Sequence, residues 1–267
     1  MPVFAPPVRR KNHGRGHSYV DANGAKVPGV TTIIGDGIPK PALLNWAANT
    51  TAEYAVDHWD ELGALRGTER LKLLQKARYA DRDAAANKGT AVHALAEKLA
   101  LGEEITVPEE LRGHVESYVR FLDEWDVQPV LAEAVIVSHK HGYAGTLDLI
   151  ADLAHPFRAG ATQRWLLDVK TSRSGVFGET ALQLAGYRYA DRYVDDQGEE
   201  QPVPTVERTG VIHVRADGYS LVPVEAGHVQ FRSLLYAQQI KAFCDEARDL
   251  VGEALEAPPH TTEEKIA

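Results

Sequence analysis

Apolar and polar positions alternate with two different periods along the chain, and the change of period divides it into two halves. In the first half, apolar residues recur at helical spacing from Ala42 to about Trp59, in two stretches between residues 66 and 100, and over 109–126. Ahead of these helices, "HSYVDANGAKVPGVTTII" predicts two short strands around the turn "DANG". The first half is therefore predicted to be mainly helical.

The second half contains shorter runs that are rich in β-branched and aliphatic residues and therefore predict strands. They are "PVLAEAVIVS", "YAGTLDLIADL" and "RWLLDVKTS". A helix over 179–194, a hairpin turning at "ADG" and a closing helix over 228–256 follow. The order of elements predicts an α/β core with an α-rich N-terminal addition, in one compact unit.

Composition limits the classes of protein to which the chain can belong. With 44% apolar residues among 267, it can bury a substantial core. Its single cysteine, Cys244, excludes an internal disulfide and a four-cysteine metal cluster, and its place in the last helix predicts a packing role. No apolar run approaches the roughly 18 residues of a membrane span, and the N-terminus lacks a signal-peptide core. We therefore expect a soluble, cytoplasmic protein; Trp46 and Trp59 are predicted to be core residues.

The net charge of −9 conceals two basic stretches. Residues 1–20 contain Arg9, Arg10, Lys11 and Arg15 without any acid, and residues 66–90 contain seven basic residues against three acids. A phosphate backbone responds to a local patch and not to the average charge, so both stretches are candidates for binding nucleic acid. The alternative is that they are ordinary solvated surfaces.

Two aspartates interrupt neighbouring apolar strands. Asp148 lies in "GTLDLIADL", and Asp168 lies in "LLDVKTS" two residues before Lys170. If the two strands pair, both carboxylates can reach the same end of the sheet, and alternation places Lys170 on the face of Asp168. Carboxylates with a nearby backbone carbonyl suit Mg²⁺ or Mn²⁺, and a lysine beside them suits phosphodiester hydrolysis. The alternative is an Asp–Lys salt bridge, with the second aspartate capping a turn.

Four further residues accompany this pair in a fixed order. His93 lies on the apolar helix "KGTAVHALAE", where a histidine is commonly a core or surface residue, and Glu133 interrupts the strand "VLAEAVIVS". Gln183 and Tyr187 are four residues apart in "QLAGY", so they share one helix face. The complete set is G-T-x-x-H, an isolated Glu, G-x-x-D, D-x-K-T and Q-x-x-x-Y.

This order and spacing resemble the RecB-like branch of the PD-(D/E)xK nucleases, which includes phage recombination exonucleases. The resemblance covers roughly residues 85–190 with specific motifs, and "VTTIIGDGIPKPALLNWA" extends it more loosely toward the N-terminus. It implies the PD-(D/E)xK (restriction-endonuclease-like) α/β core, with a mixed central sheet flanked by helices. The domain boundaries expected from it are 1–84 for the N-terminal addition, 85–256 for the nuclease core and 257–267 for a mobile tail.

The resemblance also implies a role for each motif residue. Lys170 would be the catalytic lysine, and Glu133 would ligate a second ion or orient a water. Gln183 and Tyr187 would position the lysine and the scissile phosphate. The residues implied to bind Mg²⁺ or Mn²⁺ are His93, Asp148, Asp168 and Val169, the last through its carbonyl. The usual "PD" is "LD" here, at Leu147–Asp148.

The function implied by the resemblance is a metal-dependent deoxyribonuclease, specifically an exonuclease in phage-type recombination or repair. Its partners would be linear DNA and, as a further candidate, a single-strand annealing recombinase. The alternatives are a structure-specific endonuclease on the same core and a catalytically idle module that binds DNA or protein. No G-x-x-x-x-G-K-[ST] motif is present, so an ATP-driven helicase is not expected. Arg188, Arg192 and Arg215 are candidate phosphate contacts, with ordinary surface residues as the alternative.

Overall fold

The structure is a computed structural model, and it describes residues 3–14, 16–172 and 175–257, without the side chains of residues 80–87 and 248. Arg15 of the basic arm and residues 258–267 of the predicted tail lie outside this range. The α-helices are α1 (Val30–Gly37), α2 (Pro41–Asp57), α3 (Trp59–Ala64), α4 (Gly67–Ala100), α5 (Arg112–Glu124), α6 (Thr180–Arg188) and α7 (His228–Glu246). Short 3-10 helices lie at Glu109–Leu111 and Ala247–Leu250.

The strands form two sheets in the part of the chain that the structure describes. They are β1 (Arg9–His13), β2 (Gly16–Val20), β3 (Lys26–Val27), β4 (Gln128–Ser138), β5 (Tyr143–Ala154), β6 (Thr162–Lys170), β7 (Arg192–Val194), β8 (Glu200–Pro202), β9 (Arg208–Arg215) and β10 (Gly218–Pro223). The large sheet has the order β10-β9-β6-β5-β4-β7-β8, and the small sheet has the order β1-β2-β3. Because β6 pairs with β9 in parallel and the other pairs are antiparallel, the large sheet is mixed, as predicted.

Helices cover both faces of the large sheet. On one face α1, α6 and α7 bury a core that includes Val30, Leu184 and Leu234, together with Leu166 of β6. On the other face α5 and the end of α4 pack against a second core around Phe121. A central sheet between two layers of helices confirms the predicted α/β class.

The small sheet packs against the side of the large one. Val8, Tyr19 and Val27 are buried there with Val137 of β4 and Ala144 of β5. The β1–β2 hairpin is thereby held beside β4 and β5, the strands that carry Glu133 and Asp148. β1 is an extra element, because the sequence predicted no strand before His17, whereas β2 and β3 lie where the two short strands around "DANG" were predicted.

Several predicted elements have different boundaries in the structure. "VTTII" forms α1 instead of a strand, because Val30, Ile33, Ile34 and Gly37 fall on one helix face and all of them are buried. Gly37 packs so closely on the carbonyl of Ala237 that no Cβ could be accommodated. Helix packing thus overrides the strand preference of the β-branched residues.

The two helices predicted between 66 and 100 are one helix of 34 residues, α4. The intervening "ADRDAAAN" contains strong helix formers and no proline, so nothing interrupts it. The predicted boundary between residues 84 and 85 therefore falls inside a continuous helix. Gly102 follows the helix end with φ +75°, which matches its predicted terminating role.

The helices predicted over 179–194 and 228–256 end earlier than expected. α6 stops at Arg188, and Arg192–Val194 instead pairs as β7 with β4. α7 stops at Glu246 and continues only as a 3-10 turn. Backbone hydrogen bonds to a neighbouring strand supply a competing structure for 192–194 that local spacing cannot reveal.

The predictions that Trp46, Trp59 and Cys244 are packed in the core are wrong. Trp46 is 37% exposed and Trp59 is 72% exposed, and α2 has no buried residue. Cys244 is exposed on α7. α2 packs mainly against α3 and α4, so its apolar spacing does not correspond to burial against the sheet. Among the described residues, no helix has both the length and the apolar content to cross a membrane.

Candidate active site

Three adjacent strands each carry one carboxylate at the same level of the large sheet. Leu149 of β5 pairs with Leu167 of β6, so Asp148 and Asp168 are opposite one another one residue further along. On the other side of β5, Leu149 pairs with Ala132 of β4, which brings Glu133 next to Asp148. The predicted pairing of the two aspartate strands is confirmed, and it creates a row of three acids.

Strand alternation is broken at the Glu133–Asp148 position. Leu131 and Ala134 contact the same core although they are three residues apart, and Leu147 and Ile150 on β5 do the same. On β4 the cause is Glu133 itself, whose φ of +47° is in the left-handed region. Such a conformation costs on the order of 1–3 kcal/mol for a non-glycine residue. The strand geometry is therefore irregular at the position where Glu133 and Asp148 are adjacent.

Asp168 is the most deeply buried member of the row, at 1% exposure. One carboxylate oxygen lies 2.6 Å from the Nζ of Lys170, and the other accepts a hydrogen bond of 2.6 Å from Nε2 of Gln183. The prediction that Lys170 shares a face with Asp168 is therefore confirmed. A buried carboxylate held from both sides is fixed in one orientation.

Gln183 and Tyr187 lie on one face of α6, as predicted. The amide of Gln183 also donates to the hydroxyl of Tyr187 at 3.1 Å. The Tyr187 ring packs on Gly145 of β5, where an added Cβ would lie 2.6 Å from a ring carbon. The glycine of G-x-x-D is thus required for the approach of this ring, which supports Gln183 and through it Asp168.

Asp148 receives two contacts on the same oxygen. Oδ2 accepts the backbone N–H of Val169 at 2.7 Å and lies 3.4 Å from Nδ1 of His93. The Val169 contact that the structure records is thus its N–H, and ligation by its carbonyl stays a prediction. His93 reaches Asp148 from α4, so this helix lies beside the row.

A compact group of possible metal ligands consists of His93, Glu133 and Asp148. One ligand atom from each lies within 4.8 Å of the others. Asp168, which was also predicted as a ligand, is not part of this group; its Oδ2 lies 2.6 Å from Nζ of Lys170 and its Oδ1 accepts a hydrogen bond from Gln183. Carboxylate oxygens with one imidazole suit Mg²⁺ or Mn²⁺, with the imidazole favouring Mn²⁺. The donor set therefore fits the predicted ion, and the role of Asp168 as a ligand stays a prediction.

The electrostatics of the row disfavour its full ionisation. Burial and then the charge of Asp148 raise the pKa of Glu133 to about 7, against the opposing effect of His93. Burial and the same charge raise the pKa of Asp168 to about 6. Carboxylates with raised pKa values are stabilised by an additional cation.

Lys170 remains a cation in this environment. Burial acts to lower its pKa, but the charges of Asp168 and Asp148 outweigh burial and the net pKa is raised. The side chain can therefore donate hydrogen bonds and stabilise negative charge, and it is poorly suited to removing a proton.

Several residues near the row were missed by the sequence analysis or given a different role. Arg10 of β1 places a guanidinium nitrogen 3.4 Å from Oε2 of Glu133. Tyr19 of β2 is hydrogen-bonded to Thr146 of β5 at 2.8 Å. Glu97, one helical turn after His93, adds to the negative charge felt by Glu133. The spacing of four residues from His93 was a signal for Glu97, whereas only the tertiary fold brings the hairpin to this site.

Several arginines that were candidates for binding phosphate already contact other groups of the protein. Arg188 donates to the backbone carbonyls of Val206 and Ala226. Arg215 lies 3.1 Å from His213 and 3.6 Å from Asp217. In the second basic stretch, Arg70 donates to three carbonyls at the end of α3. Arg188 and Arg70 are thus held in structural roles.

Comparison of the sequence with known protein-family models and with characterised proteins finds no match.

Proposed function

We propose that this chain is a metal-dependent deoxyribonuclease of the RecB-like PD-(D/E)xK type that hydrolyses phosphodiester bonds with Mg²⁺ or Mn²⁺. We further propose that it acts as an exonuclease on linear DNA, in phage-type recombination or repair. The proposal combines the order of motifs in the sequence with the geometry of the carboxylate row.

The observation that carries the proposal is the position of Lys170 beside the row. Its ammonium is held by Asp168, and Asp168 is held in turn by Gln183. A salt bridge made only for stability would not need two further acids, Glu133 and Asp148, next to it in a group with His93. It would also not need Glu133 in a strained conformation, and strained backbone is commonly found at functional sites.

The residues divide the proposed reaction between them. When bound, a divalent ion supplies Lewis-acid polarisation of a phosphoryl oxygen. His93, Glu133 and Asp148 would hold it, with Asp168 as the further predicted ligand. Lys170 donates a hydrogen bond to the attacking water or to the phosphate, and its positive charge stabilises the charge that develops during attack.

Gln183 and Tyr187 position the reacting groups without contacting the substrate. Burial raises the pKa of Tyr187, so its hydroxyl stays neutral and adds no negative charge beside Asp168. Gln183 uses its amide hydrogens on Asp168 and Tyr187. The orientation of Asp168, and therefore of Lys170, depends on this chain of contacts.

The test is digestion of end-labelled single- and double-stranded DNA with Mg²⁺, Mn²⁺ or EDTA. Wild-type protein should cleave linear DNA only with metal, and Asp168→Ala and Lys170→Ala should each abolish cleavage without unfolding the protein. Lys140→Ala removes an exposed lysine from the turn between β4 and β5 and is the matched control. Full activity in either site variant would refute the proposal.

Covalently closed circular DNA separates the exonuclease from the endonuclease. An exonuclease leaves closed circles intact and degrades them after linearisation, whereas an endonuclease cuts both forms. Calorimetric titration with Mn²⁺ tests the idle-module alternative, because such a module has no need for a divalent ion. Absence of Mn²⁺ binding together with absence of cleavage would favour that alternative.

A further inference from the structure

One face of the β1–β2 hairpin carries four polar side chains, and one of them, Arg10, reaches the carboxylate row. Arg10 pairs with Tyr19, and Asn12 pairs with His17. Because paired residues and alternate residues share a face, these four side chains lie on the same side of the hairpin. Arg9 and Lys11 lie on the opposite side by the same alternation.

One contact joins this face to the large sheet, and a second, within the hairpin, supports it. The hydroxyl of Tyr19 is 2.8 Å from Oγ1 of Thr146, which precedes Asp148 by two residues on β5. Nε2 of His17 is 3.1 Å from the same hydroxyl. Burial, with Arg10 next, lowers the pKa of His17 and favours its neutral form.

Arg10 is the residue of this face that contacts the row directly. One guanidinium nitrogen lies 3.4 Å from Oε2 of Glu133, and Nε donates to Oδ1 of Asn12 at 3.1 Å. The Arg10 side chain is 32% exposed, so it lies where an incoming ligand can reach it. Asn12 fixes the base of the guanidinium without using its two terminal nitrogens.

Glu133 faces Arg10 with Oε2 and His93 with Oε1, at 3.4 and 4.0 Å, so a divalent cation beside His93 and Arg10 would compete for the charge of one carboxylate. A divalent ion held by His93, Glu133 and Asp148 would repel the guanidinium and take over the charge of the carboxylate. Arg10 would then present two terminal nitrogens at the entrance of the site. A planar guanidinium fork matches the oxygens of a phosphate group.

We propose that Arg10 has two alternating partners: Glu133 before the metal binds, and a phosphate of the DNA strand after it has bound. The proposal rests on the proposed nuclease function for its second half. It makes the hairpin the second wall of the active site, with Arg10 as a substrate-binding residue.

The experiment measures two effects of opposite sign in the full-length protein. Arg10→Ala removes a cation that competes for Glu133, so Mn²⁺ affinity by calorimetry without DNA should rise by about 2- to 5-fold. The same variant loses a charge-assisted phosphate contact, so KM for linear DNA should rise by about 10- to 100-fold, with a smaller change in kcat. Arg10→Lys should raise KM less than Arg10→Ala does, because lysine keeps the positive charge but lacks the planar guanidinium fork.

Arg9→Ala is the matched control, because it removes the same charge from the other side of the same strand. It should leave Mn²⁺ affinity unchanged and alter KM much less than Arg10→Ala. A merely structural role for Arg10 would weaken metal binding and DNA cleavage together, and that result would overturn the proposal. Equal effects of the Arg9 and Arg10 variants would overturn it as well.

Failure of the proposed function gives a different result. A wild-type protein that binds Mn²⁺ but cleaves no DNA would refute the nuclease function, and the phosphate half of this proposal with it. The Mn²⁺ affinities of the Arg10 and Arg9 variants would still decide whether Arg10 competes for Glu133.

Discussion

Replacing Asp168 by asparagine should stabilise the metal-free protein while abolishing cleavage. The carboxylate is buried and lies beside Asp148, and its contact with Lys170 does not compensate for these costs. Burial, then Asp148, raises the pKa of Asp168 from 3.8 to about 6. At about 1.4 kcal/mol for each pH unit, its ionisation costs the folded state about 3 kcal/mol.

Asparagine removes this cost but introduces a smaller one. Its amide oxygen can still accept the hydrogen bond from Gln183, whereas its NH₂ group cannot accept one from Lys170. The lost contact of the charged Lys170 should cost about 1.5–3 kcal/mol. We therefore expect Asp168→Asn to increase the free energy of unfolding by up to about 1.5 kcal/mol at pH 8.

The effect has a defined pH dependence. The native carboxyl binds its proton more tightly than the unfolded one, so wild-type stability falls as pH rises from about 4 to about 6. Above that range the loss is complete. The advantage of Asp168→Asn should therefore be absent near pH 4 and fully developed at pH 8.

Urea denaturation in EDTA at several pH values measures the effect. Asp152→Asn is the matched control, because hydrogen bonds from Arg164 lower the pKa of Asp152. Its replacement should therefore destabilise the protein at pH 8, the opposite sign. If Asp168→Asn is less stable than wild type at pH 8, or if the difference does not change with pH, burial does not dominate at this carboxylate and the reasoning is refuted.

Three further substitutions test the contacts around the row, each by urea denaturation. Gly145→Ala places a Cβ 2.6 Å from the ring of Tyr187 and should cost about 1–3 kcal/mol, together with a loss of cleavage. Tyr143→Phe removes a buried donor to the carbonyl of Gly186 at 2.7 Å and should cost about 1–2 kcal/mol, with no change in Mn²⁺ affinity. Tyr19→Phe loses its hydrogen bond to β5 and should cost about 1 kcal/mol, with faster hydrogen exchange in the β1–β2 hairpin. No measurable cost in a variant would contradict the corresponding contact.

The class of fold was predictable because its signals are local. The runs that form β4, β5 and β6 are short and apolar, and α5 has one apolar stripe, so each element could be recognised from its own residues. Elements whose identity depends on a neighbour were not recognised. "VTTII" forms α1 because packing against α7 stabilises the helical conformation. Arg192–Val194 forms a strand because it pairs with β4 through backbone hydrogen bonds.

Part of the candidate site was predictable for the same reason. Asp168 and Lys170 are two residues apart on one strand, and Gln183 and Tyr187 are four apart on one helix, so periodicity alone places each pair on one face. Glu133 was noticed as an acid in an apolar run. Its left-handed backbone could not be predicted, because it depends on how β4 and β5 pair around it.

The sequence by itself determined the residue types, their order and their local periodicity, and these were enough to indicate an α/β core with convergent acids and a lysine. Only the tertiary structure decided which acids meet. In the folded protein Glu133 lies next to His93 and Asp148, and Asp168 contacts Lys170 and Gln183. Arg10 of the N-terminal hairpin contacts Glu133. The physical reason is range: periodicity acts over a few residues, whereas Arg10 and Glu133 are 123 positions apart and meet only through the packing of two sheets.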